Sequence, residues 1–541
     1  MKKIKYVTAA LVSSMMLALA ACGNRTAAES ESTAAAEQTE DAVTAATENA
    51  GENGQFPGDG QTPPGMEEGQ IPSEMQPGQT PPDMQNGQMP QGGGMPGEYA
   101  TVTEDDLIAE DDLFTDRDMS DEYEADTVIT LKDGSITVSG DGAEADGNTV
   151  TITKAGVYEF TGSLTDGQII VDAEDTDKVQ IVLNGVTVTN SDAAAIYVLQ
   201  ADKVFITTVE GTVNSLTLTG AITQTDDNNV DGVIFSKDDI CINGEGTLNI
   251  VSETCHGIVS KDDLKITSGT VNVTSLKKSL QANDSIRIGG GTVNLVSEKS
   301  EGMESSFIYI ADGTVNIDSA DDGLNCNDSS GALVIYGGTV NITAEGDGLD
   351  SNGSIYQYGG DITVSGPVNA GNGSMDYVGE AVISGGSAMI AGSSGMAMNY
   401  SAGSDQCSIL YTFSSALQAG TEVTLTDESG DVIASFTPDT QFQTVVISCD
   451  DIDAEGTYTI TAGSQTATVQ MNGSTIYGTG QGMGFGGMGP GRMDGFGENG
   501  QGNTVEGQFG SEGSRPEGMP GGHSHGTGST EGQENKQTDG V

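Results

Sequence analysis

The amino-acid sequence predicts an all-β protein whose central part is a parallel β-helix with coils of about 22 residues. A phrase of Gly-Thr-x-Asn plus an aliphatic residue occurs five times, at intervals of 23, 22, 22 and 25 residues. A fixed interval in this range is typical of stacked repeats. Within each copy, Thr and Asn alternate with aliphatic residues, which is the two-residue period of a strand. The copies begin at Gly246, Gly269, Gly291, Gly313 and Gly338, with a weaker sixth at Gly360.

The charge balance limits the classes of partner. The 541 residues include 80 Asp and Glu against 19 Lys and Arg, which gives a formal charge of −61. Nucleic acid is excluded as a natural partner, because phosphate binding needs Lys and Arg. This acidity instead favours divalent cations as binding partners. We expect the protein to be monomeric.

The first 22 residues predict a lipoprotein signal peptide. Lys2 and Lys3 provide a basic start, and residues 9–18 are apolar. The segment from Leu19 to Gly23 resembles a bacterial lipobox, in which the cysteine, here Cys22, becomes lipidated and N-terminal. We therefore expect a lipid-anchored protein outside the cytoplasmic membrane, on the bacterial cell surface. The alternative is an ordinary signal peptide in which Cys22 is coincidental.

Composition divides the remaining chain. Residues 23–125 are first Ala/Glu/Thr-rich, then Gly/Pro/Gln/Met-rich and finally acidic, which predicts a disordered tether. Strand patterns from 126 to 400 predict the β-helix, with irregular early coils before a regular stack. Residues 401–470 predict a C-terminal β segment that caps the helix or forms a small sandwich. The Gly-rich residues 471–541 predict a disordered tail.

Aligning the coils on the Gly-Thr step reveals an outward ladder on the preceding strand. It contains Lys265, Arg287, Tyr309 and Tyr356. Equivalent residues of parallel coils lie about 4.8 Å apart. Flat rings stack on sugar rings and cations pair with uronate carboxylates, so this ladder predicts a site for an acidic polysaccharide. The alternative is an ordinary solvated sheet face.

A third strand in each coil concentrates acidic residues on one edge. No Lys or Arg lies between Lys299 and Arg492 to neutralise them. Because like charges directly opposite each other destabilise a sheet, a bound hard cation is favoured, and Ca²⁺ accepts carboxylate and amide oxygens. The alternative is a solvated acidic face. No EF-hand loop is present, so the prediction of a calcium site depends on the spatial grouping of these residues. The candidate ligands are Glu301, Glu304, Asp321, Asp322, Asn325, Asn327, Asp347, Asp350 and Asn352.

The repeated Thr and Asn positions predict a structural ladder rather than a binding site. Asn272, Asn294 and Asn316 occupy the same place in successive coils. Stacked Asn amides can hydrogen-bond to one another along the helix axis. We therefore expect these amides to hold neighbouring coils in register.

Several phrases resemble a known family. Ser236-Lys237-Asp238-Asp239-Ile240, Ser260-Lys261-Asp262-Asp263-Leu264, Asp322-Gly323-Leu324 and Asp347-Gly348-Leu349 look like the carbohydrate-binding β-helix family of clostridial and other bacterial surface proteins. The resemblance covers about residues 126–395. It implies a right-handed parallel β-helix that binds calcium and plant-type polysaccharides, a fold similar to calcium-dependent pectate lyases. The absence of tryptophan departs from flat cellulose-binding surfaces and favours soluble, acidic glycans.

Three functions remain open from the sequence. The first is a non-catalytic lipoprotein that binds polysaccharide through calcium-bearing coils. The second is a calcium-dependent polysaccharide lyase of the pectate type, which needs a base to remove a proton; Lys278, in register with Glu301 and Asp322, is the first candidate base and Lys261 the second. The third is a surface adhesin without a glycan ligand. We favour the first, in which the protein is not an enzyme.

Overall fold

The computed structural model describes residues 102–478. The expected lipidation site Cys22, most of the predicted tether and most of the predicted tail lie outside the described residues. Within residues 102–478 there are two short 3₁₀ helices, Glu104–Asp106 and Glu110–Asp112, and no α-helix. No helix of this part has the length and apolar character to span a membrane.

The first ten strands form the early coils. They are β1 (Thr127–Leu131), β2 (Thr137–Ser139), β3 (Ala143–Asp146), β4 (Thr149–Ile152), β5 (Gly156–Leu164), β6 (Gln168–Asp172), β7 (Lys178–Asn190), β8 (Ile196–Gln200), β9 (Lys203–Thr208) and β10 (Val213–Leu218). Their parallel pairing continues through β7, β9 and β10 into the next coils. The early coils therefore belong to the same β-helix as the repeats.

The regular stack follows with three strands in each coil. It comprises β11 (Gly232–Ser236), β12 (Asp239–Gly244), β13 (Thr247–Ser252), β14 (His256–Ser260), β15 (Leu264–Ile266), β16 (Thr270–Ser275), β17 (Leu280–Ala282), β18 (Ser285–Ile288), β19 (Thr292–Ser297), β20 (Met303–Ser305), β21 (Phe307–Ile310), β22 (Thr314–Ser319), β23 (Leu324–Cys326), β24 (Ala332–Ile335), β25 (Thr339–Ala344), β26 (Leu349–Ser351), β27 (Ser354–Gln357), β28 (Asp361–Ser365), β29 (Met375–Tyr377), β30 (Ala381–Ile383) and β31 (Ser387–Gly392).

These strands stack into three parallel sheets. The first sheet contains β12, β15, β18, β21, β24, β27 and β30. The second contains β13, β16, β19, β22, β25, β28 and β31, which are the Gly-Thr strands. The third contains β11, β14, β17, β20, β23, β26 and β29. The prediction of a parallel β-helix is confirmed.

Alternation along each strand fills the interior with aliphatic side chains. Ile286, Ile308, Leu333 and Ile355 occupy one inward column of the first sheet and are fully buried. Each such side chain contributes about 1.5–3 kcal/mol when it leaves water. Stacked aliphatic columns from the three sheets therefore form one continuous core along the helix.

The Gly and Asn of the repeated phrase each have a structural reason. Gly291 has a φ of 76°. A Cβ there would lie 2.5 Å from the carbonyl oxygen of Gly269 in the coil before, so only glycine fits this turn. Asn294 Nδ2 donates to Asn272 Oδ1 at 2.7 Å, and Asn316 Nδ2 donates to Asn294 Oδ1 at 2.8 Å. The predicted axial ladder of amides is confirmed.

The C-terminal segment closes the end of the helix. It contains β32 (Ser408–Leu417), β33 (Val423–Thr426), β34 (Val432–Phe436), β35 (Phe442–Ser448), β36 (Thr457–Ala462), β37 (Gln465–Gln470) and β38 (Ile476–Tyr477). Strand β35 pairs antiparallel with β31, the last strand of the second sheet, and so covers its exposed edge. The segment therefore caps the helix, and its strands β33, β34, β36 and β37 also form a separate four-stranded antiparallel sheet. The prediction that disorder begins at 471 is wrong for residues 471–478, because β38 pairs with β32.

An N-terminal strap, residues 102–118, packs on the outer face of the first sheet. Leu113 is fully buried there, and its carbonyl oxygen accepts a hydrogen bond from Arg287 Nη1 at 3.1 Å. The hydroxyl of Tyr356 donates to the carbonyl oxygen of Val102 at 3.0 Å. The prediction that residues 102–125 are part of a disordered tether is wrong, because their few apolar side chains find partners on the sheet.

Asp118 fixes the end of the strap by pairing with two lysines of the first sheet. Its carboxylate is fully buried, 2.7 Å from Lys203 Nζ and 3.5 Å from Lys265 Nζ. Burial by itself would raise the pKa of Asp118, but hydrogen bonds from Lys203 and the Thr115 amide, with the charge of Lys265, lower it to about 2. The carboxylate is therefore ionised throughout the physiological range.

Replacing Asp118 by Ala should destabilise the protein by about 3–5 kcal/mol, because two buried ammonium groups would lose their counter-charge. Urea unfolding followed by circular dichroism measures this change. Asp116→Ala is the matched control, since Asp116 is an exposed carboxylate of the same strap. Equal unfolding midpoints for the two variants would show that the ion pair does not hold the strap.

A candidate cation site on the third sheet

The outer face of the third sheet carries a polar column that becomes acidic toward its C-terminal end. Parallel register places Gln281, Glu304, Asn325, Asp350 and Asp376 in consecutive coils. The spacing between parallel strands is about 4.8 Å, so each side chain faces its equivalent directly. A second row lies three residues earlier in each coil and contains His256, Lys278, Glu301, Asp322 and Asp347.

Five side chains from three coils converge at the acidic end. We call Asp322, Asn325, Asp347, Asp350 and Asp376 the aspartate cluster. Carboxylate oxygens of Asp347, Asp350 and Asp376 lie within 4.8 Å of one another. The Oδ1 atom of Asp322 accepts a hydrogen bond from the backbone nitrogen of Asp347 at 2.7 Å, and its Oδ2 atom accepts one from Asn325 Nδ2 at 3.4 Å.

The electrostatics of the aspartate cluster are unfavourable for four negative charges. Burial is the largest cause, and the neighbouring carboxylates add to it. Together they raise the pKa of Asp350 to about 8, of Asp322 to about 7 and of Asp347 to about 6. The pKa of Asp376 is also raised, by burial. Full ionisation of these four carboxylates is therefore costly without a compensating positive charge.

The donor set fits a hard divalent cation. Ca²⁺ takes six to eight oxygen ligands from carboxylates, amides and water. Besides the four carboxylates, the cluster contains Asn325 Oδ1, a buried amide oxygen that has no hydrogen-bond partner among the described residues. An orphaned buried acceptor beside crowded carboxylates is what a cation would satisfy.

The other ligands proposed from the sequence lie outside the cluster. Glu304 forms an ion pair with Lys278, whose Nζ also lies 4.0 Å from Glu301 Oε1. Asp321 is exposed. Asn327 and Asn352 are exposed and contact each other, through Asn352 Nδ2 and the carbonyl oxygen of Asn327 at 3.1 Å. These five residues do not join the group that converges in the structure.

Asp376 is the ligand candidate that the sequence reasoning missed. Residues 366–374 interrupt the repeat, and the Gly-Leu-Asp phrase of earlier coils becomes Ser374-Met375-Asp376. Met375 nevertheless pairs with Leu349, which brings Asp376 beside Asp350. An alignment of the inward residue Met375 with Leu324 and Leu349 would have revealed Asp376 from the sequence.

The basic and aromatic ladder of the first sheet forms as predicted but does not face solvent. Lys265, Arg287 and Tyr309 are in register, and Tyr356 follows two coils later. Tyr309 is only 1% exposed, Tyr356 is fully buried and Lys265 is 6% exposed. The prediction of an open glycan site on this face is wrong, because the strap occupies it and satisfies its polar groups.

The third sheet is basic in the coils that precede the acidic residues. Burial, followed by the charges of Lys277, Lys278 and Lys261, lowers the pKa of His256 to about 4. Its Nδ1 accepts a hydrogen bond from the backbone nitrogen of Lys278 at 3.2 Å. The ammonium group of Lys261 lies 5.2 Å from the ring centre of Phe235. One sheet face therefore passes from basic to acidic along the helix axis.

Comparison with known proteins identifies the family. Residues 146–328 and 305–481 both match a family of carbohydrate-binding domain-containing proteins. Together these segments span more than half of the 541 residues, and the chain belongs to this family.

Two individual proteins are also similar. A carbohydrate-binding domain-containing protein of Acetivibrio thermocellus is 40% identical over 135 residues, which make up 25% of this chain and 47% of the relative. The chain thus spans about half the length of that curated relative. A solved structure, a gadolinium derivative of the polysaccharide lyase-like protein from C. thermocellum, is 30% identical with a TM-score of 0.39, over 48% of this chain and 99% of that chain.

The low pKa of His256 predicts that the protein loses stability in mild acid. Since the pKa falls from 6.5 to about 4 on folding, the unfolded chain binds a proton that the folded protein does not. The contribution of neutral His256 to the free energy of unfolding is complete above pH 6.5. It is lost as the pH falls toward 4, by up to about 3 kcal/mol. Nuclear magnetic resonance titration of the His256 ring measures this pKa.

The variant Lys277→Gln should move the pKa of His256 upward, because it removes a repelling charge. His256→Gln should flatten the dependence of the unfolding free energy on pH between 6.5 and 4. A His256 ring that titrates at its ordinary pKa in the folded protein would contradict the account.

Proposed function

We propose that this protein is a non-catalytic polysaccharide-binding lipoprotein of the cell surface, which engages acidic glycans through calcium held by the aspartate cluster. The single observation that carries the proposal is the grouping of carboxylate oxygens of Asp347, Asp350 and Asp376 within 4.8 Å of one another. Asp322, which hydrogen-bonds to the Asp347 backbone and to Asn325, and the unpartnered Asn325 Oδ1 belong to the same cluster. Membership of the carbohydrate-binding family supports a polysaccharide as the partner. The lipobox-like sequence around Cys22 supports anchoring to the membrane.

The acidic character of the glycan follows from the chemistry of the third sheet. A calcium ion that takes six to eight oxygen ligands would leave positions beyond those of five side chains, and a uronate carboxylate is suited to fill one. Lys277, which is exposed, and Lys261, which is half-buried, offer positive charge on earlier coils of the same sheet. A chain of acidic sugars along this sheet would meet calcium at one end and lysines at the other.

The lyase alternative finds less support. Its first candidate base, Lys278, is held in ion pairs with Glu304 and Glu301. Its second, Lys261, lies over the ring of Phe235. Among the described residues, neither lysine forms an ion pair with a member of the aspartate cluster, so no base is aimed at the position where calcium would acidify a sugar. The adhesin alternative, without a glycan ligand, is disfavoured by the family.

Calcium should raise the melting temperature of the wild-type protein, and EDTA should lower it again. At a calcium concentration of 100 times the dissociation constant, the stabilisation is about 2.7 kcal/mol. Asp350→Asn should respond much less to calcium. In EDTA it should melt no lower than the wild type, because it relieves repulsion among the four carboxylates. Differential scanning calorimetry measures both effects.

The matched control for Asp350→Asn is Asp312→Asn, which removes an exposed carboxylate at a distant turn. It should keep the full response to calcium. If the melting temperature of the wild-type protein changes with neither calcium nor EDTA, the proposed calcium site is wrong. A response that survives Asp350→Asn would place the ion elsewhere.

Immobilised polygalacturonate should retain the protein in calcium and release it in EDTA, without forming unsaturated products. Retention is measured by elution, and β-elimination by the ultraviolet absorbance of unsaturated uronides. Asp350→Asn should weaken retention about tenfold or more, while Asp312→Asn should not. Rising absorbance that Lys278→Ala abolishes would establish the lyase instead.

A further inference from the structure

The outer face of the second sheet carries very little charge, although the chain has 80 Asp and Glu against 19 Lys and Arg. Its first seven stacked strands are the C-terminal part of β7 and then β10, β13, β16, β19, β22 and β25. We call the outward side chains of these seven strands the neutral face. Asp318 is the only charged residue among them. On a protein of formal charge −61, such a surface has a physical reason to be covered.

The neutral face also exposes apolar side chains in a symmetric arrangement. Val213, Val251 and Val296 are 60%, 37% and 39% exposed. Val251, Thr274 and Val296 are in register on three consecutive strands, so the two valines flank Thr274 at equal distances of about 4.8 Å. The apolar groups are therefore arranged symmetrically about β16.

The amides of the neutral face retain hydrogen-bonding capacity. Each of Asn294, Asn316 and Asn341 donates one N–H to the amide of the coil before. The second N–H of each has no partner among the residues that the structure describes. A protein surface that packs on the neutral face can therefore bury its valines and bond to its amides.

The area of the neutral face matches that of a protein interface. Strands of neighbouring coils lie about 4.8 Å apart, and each residue extends a strand by about 3.3 Å. Seven strands of about six residues then cover roughly 670 Å², or about 1,300 Å² for two copies. Stable interfaces bury about 1,200–2,000 Å² in total, so two neutral faces provide enough surface for a dimer.

We propose that the neutral face is the interface of a homodimer, in which two copies pack face to face about a twofold axis parallel to β16. This axis places Val251 against the partner's Val296, and the reverse contact follows from symmetry. It also places Asp318 against the partner's Thr217 instead of a second carboxylate. The two helices run antiparallel, so their acidic C-terminal coils lie at opposite ends. This dimer replaces the monomer expected from the sequence.

The charge distribution favours a second copy on this face over contact through another face. The strap adds acidic residues to the first sheet, and the aspartate cluster lies on the third, so like charges would meet on either. At the rim of the neutral face, Glu253 and Glu298 are exposed and would repel their counterparts across the dimer. Salt screens such repulsion, so the dimer should become tighter as ionic strength rises. A dimer held by ion pairs would become weaker.

Sedimentation velocity on the mature chain from residue 23, which lacks the expected lipid, tests the inference. The wild type should pass from monomer to dimer as its concentration rises, with equal affinity in calcium and in EDTA. Val296→Glu places a carboxylate in the interface twice and should raise the dissociation constant at least tenfold. Val432→Glu is the matched control, because Val432 is 59% exposed on β34 of the cap, away from the neutral face.

Cross-linking with a short bifunctional maleimide tests the antiparallel arrangement. Thr274→Cys puts an exposed thiol on the twofold axis beside its own counterpart, whereas the cysteines of residues 102–478 are buried. This variant should form covalent dimers. Thr343→Cys is the control, since its two thiols would lie about 29 Å apart, six coil spacings, and should stay unlinked.

The proposed interface lies outside the aspartate cluster, so this inference stands or falls independently of the proposed function. A wild type that sediments as a monomer at every concentration and ionic strength would overturn it. So would Val296→Glu that dimerises as tightly as the wild type while keeping its melting temperature. Covalent dimers of Thr343→Cys without those of Thr274→Cys would show that another surface pairs the two copies.

Discussion

The in-register hydrogen bonding of parallel coils is the constraint on which the rest of the structure depends. Each strand bonds to its equivalent in the coils before and after it, so every outward side chain lies about 4.8 Å from its counterparts. This repetition multiplies whatever chemistry a position carries. Asn on Asn gives a continuous amide ladder, whereas at Asp on Asp burial and then repulsion raise the pKa of Asp350 to about 8.

The three sheets differ in how their repeated outward side chains are covered or paired. On the first, Lys203, Lys265 and Tyr309 are covered by a strap whose Asp118 supplies the missing negative charge. On the second, uncharged amides hydrogen-bond to one another along the helix axis. On the third, the charges are neither covered nor fully paired. Function is therefore expected where the fold leaves repeated polar groups without internal partners.

Binding and stability should be coupled at the aspartate cluster. The side chains that repel one another in the folded protein are those that suit a cation, so an ion would gain affinity from the relief of repulsion. The nearby pair of Lys278 with Glu304 shows the alternative solution, in which the chain supplies its own counter-charge. Such pairing with Lys is not available to the last coils, since no Lys or Arg occurs between Lys299 and Arg492.

The sequence by itself determined the β-helix, the three strands of each coil and the register of the ladders, because a period of about 22 residues and the two-residue alternation both follow from local spacing. It also placed Asp322, Asp347 and Asp350 on one edge. Only the tertiary structure decided that residues 102–118 cover the first sheet, since a few apolar residues in an acidic segment do not reveal their distant partner. The same holds for Asp376, which an interruption of the repeat had hidden. Contacts between segments far apart in sequence depend on how the chain closes on itself, and no local pattern encodes them.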